Sequence, residues 1–337
     1  MTQERNVRNS DPAKVYEAHE WLEKFYHHIL LYSKGGEHAK EYLNNRGIHE
    51  STIKKFRIGF SLLKSDVTFQ FLKNKGFNYS TLAENKVLRR LNNGKLSNML
   101  RNRIVFPIRD YQNRTVAFGG RSIDKDNKVK YINSEESIIF KKQDNLFGFP
   151  QAMEDIESLG YAILLEGYFD VLKAYQNGVK NVVASLGTAL TTNQALLLKN
   201  ITDNIVIAYD GDGAGMDNSF RSASILDSIG CHVRIAHLEE EQDPDEYISA
   251  YGCDTFMSEI ISKANNVKLS LVDYKKQNYD LTHATDRFDY AEEVLKGVFK
   301  GYKKGDEQVL KKLEEILDVS FSSIQQEIAK HTKEAYK

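Results

Sequence analysis

The sequence predicts an α/β protein in three successive units: a mixed α/β N-terminal subdomain, a central, mostly parallel sheet flanked by helices, and a C-terminal helical bundle. Three observations predict it. Apolar residues recur at helical spacing in the first 48 positions and are followed by two short paired strand signals. Beyond Pro150 apolar runs alternate strictly with helix-length segments, the signature of strands buried on both faces. After about residue 264 the chain is charged, Leu-bearing and rich in helix formers.

Taken in order, residues 1–11 are polar and expected to be a flexible segment. Val15, Leu22, Phe25, Tyr26, Ile29 and Leu30, then Ala39, Tyr42 and Leu43, predict two helices. Residues 104–107 and 115–118 are β-branched or aromatic and flank the polar turn 109–114, which predicts paired strands. The first structured unit is drawn as 12–150. Residues 161–165, 181–185, 204–209 and 232–238 read as strands, and 169–176, 191–199 and 216–228 as the helices between them. That unit is drawn as 151–260, and the helical unit as 261–337.

The chain has 337 residues, 41% hydrophobic and 28% charged, so more than one core is expected and disorder is confined to the ends. No apolar run approaches the roughly 20 residues of a membrane helix, and the N-terminus has no signal-like stretch, so the protein is read as cytoplasmic, with no membrane partner. Cys231 and Cys253 form no CxxC pair, which excludes a cysteine zinc site and predicts buried thiols. The net charge of −1 conceals two opposed segments. Residues 86–130 hold 12 Lys/Arg against 3 Asp/Glu, a surface suited to phosphates. Residues 154–255 hold 5 Lys/Arg against 17 Asp/Glu, which suits divalent cations.

Ligands of an open parallel sheet gather beyond the carboxyl ends of its strands, and three of the four strand signals run into acids. The first leads into Glu166 and Asp170, four apart and on one face if a helix has begun. The third leads into Asp210 and Asp212, which a two-residue period would point the same way. The fourth leads into Asp243 and Asp245. Six carboxylates converging on one edge would raise each other's proton affinity unless cations neutralised them. Oxygen ligands without His or Cys favour Mg²⁺ or Mn²⁺, and two such ions would serve phosphoryl transfer. Each piece alone is ordinarily a solvated turn or a helix-terminus charge; the joint occurrence carries the reading. Residues 210–221 imitate a calcium loop, but Ala214 and Arg221 stand where ligands are needed. Neither a phosphate-binding G-x-x-x-x-G-K-S/T nor a dinucleotide-binding G-x-G-x-x-G is present at these glycines.

The motifs Glu166-Gly167-Tyr168-Phe169-Asp170-Val171, Ala184-Ser185-Leu186-Gly187-Thr188, Tyr209-Asp210-Gly211-Asp212-Gly213-Ala214-Gly215 and Asp243-Pro244-Asp245 closely resemble those of DnaG-type bacterial primases, in order and spacing. Upstream, the run from Arg101-Asn102-Arg103 to Arg109, Phe118-Gly119-Gly120-Arg121 and Lys130-Tyr131-Ile132-Asn133-Ser134 resemble the basic motifs of the same family. The resemblance implies a Toprim central unit. It makes Glu166, Asp210 and Asp212 the principal catalytic metal ligands and adds Asp170, Asp243 and Asp245 to the acidic cluster. It further implies nucleotide or template contacts at Arg46, Arg101, Arg103, Arg121, Lys130, Tyr131, Asn133 and Lys142, with Lys141 competing for the last place.

The implied activity is template-directed synthesis of short RNA primers on single-stranded DNA from ribonucleoside triphosphates, by magnesium-dependent nucleotidyl transfer during replication. Glu166 is a candidate general base. The family's zinc ribbon and helicase-binding domain have no counterpart in these residues, so the replicative helicase is expected to bind through a domain absent here. An alarmone could compete at Arg121, Lys130 and Asn133. Alternatives are another Toprim nuclease or topoisomerase-like enzyme, or a single-strand-binding module with structural acids. Gly119 and Gly120 read as allowing close approach of a ligand to Arg121. Gly187 and Thr188 read as a strand-to-helix turn, and His27 and His28 as helix residues without partners.

Overall fold

The computed structural model describes residues 11–124, 126–187, 189–239, 241–299, 307–320 and 322–323. Thr188, residues 1–10 and most of the last 37 positions, for which a turn, a flexible segment and bundle helices were expected, lie outside the described residues.

Helices α1 (Pro12–Tyr32), α2 (Glu37–Asn45), α3 (Glu50–Lys55), α4 (Ser65–Asn74) and α5 (Tyr79–Glu84) precede and surround a first sheet. Its strands are β1 (Gly59–Ser61), β4 (Arg103–Arg109), β5 (Thr115–Ser122) and β6 (Tyr131–Asn133), antiparallel in the order β1-β4-β5-β6. A separate ribbon pairs β2 (Arg89–Arg90) with β3 (Leu96–Ser97). Helix α1 begins where Asp11 caps Ala13 N at 3.0 Å, with Pro12 in the first turn, and it packs on the sheet through Val15, Ala18, Leu22 and Tyr26.

The second sheet contains β7 (Ala162–Leu165), β8 (Val182–Ala184), β9 (Asn204–Ile207) and β10 (His232–Ile235), all parallel. A two-residue strand β11 (Asn265–Asn266) adds an antiparallel edge, giving the order β11-β10-β9-β7-β8. This strand lies in a stretch expected to be helical; two asparagines carry too little apolar pattern to signal it. Helices α6 (Phe149–Leu159), α7 (Tyr168–Gln176), α8 (Thr192–Lys199), α9 (Gly213–Ser228) and α10 (Pro244–Tyr251) connect and cover the strands. The chain passes from β7 to β8 on one side and then to β9 on the other. The crevice between β7 and β9 is therefore the topological switch point.

The strand pleat divides the apolar residues between two cores. Ile163, Leu165 and Val206 join one cluster, and Ala162, Leu164, Ile205 and Ile207 the other. The first cluster also takes Phe60, Ile104, Phe106 and Ile108 from the antiparallel sheet, so the core runs without interruption across Pro150. Phe106 stacks on Tyr168 with ring centroids 4.6 Å apart at that junction. A short helix α11 (Cys253–Thr255) and a π-helical turn (Phe256–Ile261) lead to α12 (Val267–Lys276), α13 (Ala284–Phe299) and α14 (Glu307–Leu317). These three share their own core around Val272, Tyr290, Val294 and Leu313. Both cysteines are buried and free. His27, expected to lack a partner, is buried with Nδ1 2.7 Å from the Ile58 carbonyl, which ties α1 to the turn before β1.

Candidate active site

The acids reach the switch point by a route that strand and helix periodicity do not describe. Glu166 follows β7 directly, but α7 begins only at Tyr168, so Glu166 and Asp170 do not share a helix face. Asp170 is instead the third helical residue, and its Oδ2 accepts the Gly167 N–H at 2.8 Å. Strand β9 stops at Ile207, three residues before Asp210. Asp212 is the N-cap of α9, accepting from Gly215 N at 2.6 Å, and Asp243 is the N-cap of α10, accepting from Glu246 N at 2.6 Å. Capping satisfies free amides at the positive helix ends and holds both carboxylates in one orientation. Gly211 and Gly215 have no room for a Cβ: it would run into the Glu239 carbonyl at one and the Asp210 carbonyl at the other. The glycines of this loop thus let Glu239 and Gln242 close over it, and Gln242 O accepts from Gly211 N at 2.8 Å.

Within this cluster the acids are not equivalent. Glu166 and Asp210 each hold a buried carboxylate oxygen, Oε1 and Oδ1, without a hydrogen-bond partner among the described residues. Burial, followed by the charges of Asp170 and Asp212, pushes Glu166 up to about 7. Burial, followed by Glu166, Asp243, Asp212 and Glu246, pushes Asp210 up to about 7. Burial also raises Asp243, against the Glu246 amide that steadies its anion.

Asp170 is buried, and burial raises it well above the usual carboxylate range; its Oδ1 accepts from Asp245 N at 3.2 Å. Asp245 is buried too, paired with the Arg46 guanidinium and 3.5 Å from Lys173 Nζ. Of the three acids expected to complete the cluster behind Glu166, Asp210 and Asp212, Asp170 and Asp245 are engaged in joining α7 to α10 and to the end of α2. Among the described residues no group of three or more His, Cys, Asp or Glu lies closely enough to form a ready metal cage. The two orphaned oxygens, in an all-oxygen donor set, nevertheless fit a hard divalent cation completed by water or phosphate oxygens.

The basic residues divide similarly. Arg103 is 6% exposed and donates to the carbonyls of Gly120, Lys130 and Val129 at 3.4, 2.9 and 2.9 Å, so it is a clamp across the sheet and not an open phosphate contact. Arg101 is exposed and its charge reaches Arg103, as does that of Arg121. Arg121 faces Tyr131 across the β5–β6 pair, its Cζ 4.6 Å from the ring centroid, and its buried Nε has no partner among the described residues. Lys130 and Tyr131 are exposed. Asn133 spans the two sheets, accepting from the Tyr168 hydroxyl at 2.6 Å and donating to Leu186 O at 3.2 Å. Gly119 and Gly120 make room for Tyr168, Leu100 and Arg103, not for a ligand.

Arg46 caps the end of α2, lies 4.4 Å over the Phe169 ring and carries the ion pair to Asp245. Lys142 is half-buried on a one-turn 3₁₀ helix, and burial lowers its proton affinity; Lys141 is exposed. Leu186 and Gly187 both take left-handed backbone, φ +69° and +76°, beside Asn133. Sequence reasoning missed Lys173, whose Nζ also donates to Arg46 O at 2.8 Å. Its signal was a lone cation inside the apolar run Val171-Leu172-Lys173-Ala174.

This arrangement matches known proteins along most of the chain. Residues 25–153 match the family described as DNA primase catalytic core, N-terminal domain, and residues 163–248 match the Toprim-like family. The crystal structure of the Aquifex aeolicus primase, zinc binding and RNA polymerase domains, is 36% identical, superposes with a TM-score of 0.72 and is covered to 76% by 90% of this chain. The chain belongs to the DnaG primase family. A DnaG primase catalytic domain bound to ssDNA is 28% identical with a TM-score of 0.75, over 93% of this chain and 98% of that one. The DNA primase of Halalkalibacterium halodurans is 36% identical over 95% of this chain and 54% of its own length. This DnaG-family chain thus spans about half the length of the curated relatives it matches. Among its described residues no helix is long and apolar enough to cross a membrane.

Proposed function

We propose that this chain is a primase polymerase core that joins ribonucleotides on a single-stranded DNA template, with Mg²⁺ or Mn²⁺ held by Glu166, Asp210 and Asp212 and with Asp170, Asp243 and Asp245 behind them. The observation that carries the proposal is the pair of orphaned, buried carboxylate oxygens on Glu166 and Asp210, flanking the switch point. The bound ions would supply Lewis-acid stabilisation of the transferring phosphoryl group and of the leaving pyrophosphate.

The chain's own residues do the positioning. Asp212 and Asp243 keep their carboxylates oriented through the helix amides they cap. Arg101 and Lys130, exposed, and Arg121, half-buried beside Tyr131, offer charge to triphosphate and template phosphates, and Tyr131 offers a face for stacking. Arg46 ties the end of α2 to α10, and Asn133 ties β6 to Tyr168 and the Leu186 loop, both beside the crevice. Lys142 adds a further cation at the rim. Glu166, pushed up to about 7, is able to take a proton near neutral pH.

On this reading the partners are template DNA, ribonucleoside triphosphates and the RNA product. A replicative helicase would act through sequence outside this chain, an alarmone would compete at Arg121, Lys130 and Asn133, and the setting is the cytoplasm. The test is incorporation of labelled ribonucleotides on single-stranded DNA with Mg²⁺ or Mn²⁺, with a zinc ribbon supplied in trans. Short RNA products, absent with Asp212→Asn, are expected. Metal-dependent cleavage of the DNA without incorporation would move the assignment to a nuclease.

A further inference from the structure

At the opposite end of the β4–β5 hairpin from Arg121 lies a cavity of about 310 Å³ lined by Glu23, Lys55, Arg57, Arg109, Asn113, Pro150 and Gln151. The strand register places the two ends far apart: Arg121 opposes Ile104, and Arg109 opposes Thr115. The five residue steps from Ile104 to Arg109 span roughly 17 Å. Three cationic side chains line the cavity against one carboxylate. That carboxylate is already engaged, since Glu23 Oε2 accepts from Arg109 at 2.5 Å and from the Thr115 hydroxyl, while Arg57 Nε stands 4.0 Å from Oε1.

Two further features point to a ligand. The Arg109 Nε is buried without a partner among the described residues. Arg57 follows the C-cap of α3 with φ +54°, a backbone position at which glycine or asparagine is the inexpensive residue. An arginine there carries a local backbone strain that its one long ion pair does not explain.

We propose that this cavity is a second phosphoryl-group site, separate from the acidic crevice, in which Arg57, Lys55 and Arg109 take a phosphate from either a polynucleotide backbone or a small phosphate compound. The planar Arg57 guanidinium beside Lys55 recognises tetrahedral oxyanions through charge-assisted hydrogen bonds, and Arg109, whose terminal nitrogens are held by Glu23 and Asn113, adds its charge and its unpartnered Nε. The proposal does not depend on the reading of the acids.

The test uses the whole chain in excess chelator, so that no cation bridges the ligand to the acidic crevice. Inorganic phosphate is titrated at constant ionic strength while the melting temperature is followed. The wild type should be stabilised and Arg57→Gly should lose that gain, with at least roughly tenfold weaker phosphate binding; because glycine suits φ +54°, its ligand-free melting temperature should be equal or higher. Lys55→Ala, an exposed change on α3, should weaken phosphate in the same way. No stabilisation of the wild type, or equal stabilisation of all three proteins, overturns the site. Once the gain is lost in Arg57→Gly, the source follows from oligothymidylate binding against salt. A slope reduced by about one identifies a polynucleotide phosphate, and an unchanged slope identifies a small phosphate compound.

Discussion

The acidic crevice and the basic hairpin face the same problem, charge buried at a sheet, and resolve it in opposite ways. In the hairpin Arg103 finds three carbonyls, and Arg46 nearby finds Asp245; these cations became structure. In the crevice Glu166 and Asp210 retain oxygens with no partner among the described residues, and their protons are held up to about 7. A satisfied buried charge is a scaffold, whereas an unsatisfied one is a site kept ready for something absent from the chain. The contrast explains why the most buried of the basic motif residues is the poorest candidate for a ligand contact, and why the least satisfied acids are the best.

The contrast breaks most sharply at Asp210. Asp210→Asn should reduce ribonucleotide incorporation by at least about a hundredfold while leaving the chelated protein as stable as the parent or more so, because it removes repulsion and no contact. Incorporation assays beside melting curves in chelator decide this; a large loss of stability would mean that the carboxylate is structural after all. Arg103→Ala should show the reverse pattern, costing about 2–4 kcal/mol by stranding the carbonyls of Gly120, Val129 and Lys130, as read by denaturant unfolding.

Gly119→Ala should cost about 1–3 kcal/mol, since the new methyl would displace the Tyr168 hydroxyl and with it the bond to Asn133. If the variant melts like the parent, the sheets are not held together at that point.

A smaller effect concerns pH. Glu166 and Asp210 bind protons more tightly when folded than at their ordinary values of 4.5 and 3.8. Their contribution to the metal-free fold is therefore complete below about pH 4 and lost as pH rises through about 7. Melting temperature in chelator should fall over that window, and divalent-cation affinity should rise, by up to about tenfold per pH unit for each proton released. Cation titrations at pH 6 and pH 8 with equal midpoints would contradict it. The smallest effect is that of Arg121→Ala, which should leave folding nearly unchanged while lowering the salt slope of DNA binding by about one.

Much of this was legible without coordinates. The parallel strands could be read because residues buried on both faces produce unbroken apolar runs, as in Ala162-Ile163-Leu164-Leu165, and the acids stood out because they follow such runs. What could not be read was which acid is spent. Asp170 and Asp243 look alike in the sequence, yet one is buried between α7 and α10 and the other caps a helix at the crevice. The cationic cavity was equally illegible, because Glu23, Arg57 and Arg109 belong to three elements with no shared spacing.

The sequence by itself determined the order of the strands along the chain, the position of each acid behind its strand and the opposite charge of two neighbouring segments, since these depend on local pattern and composition alone. Only the tertiary structure decided the spatial order β8-β7-β9-β10, and with it the crevice between Glu166 and Asp210. It also decided that Arg103, Asp170 and Asp245 are satisfied while Glu166 and Asp210 are not. Satisfaction of a buried charge depends on partners that lie as far away as Arg46 is from Asp245, and no local pattern carries that information.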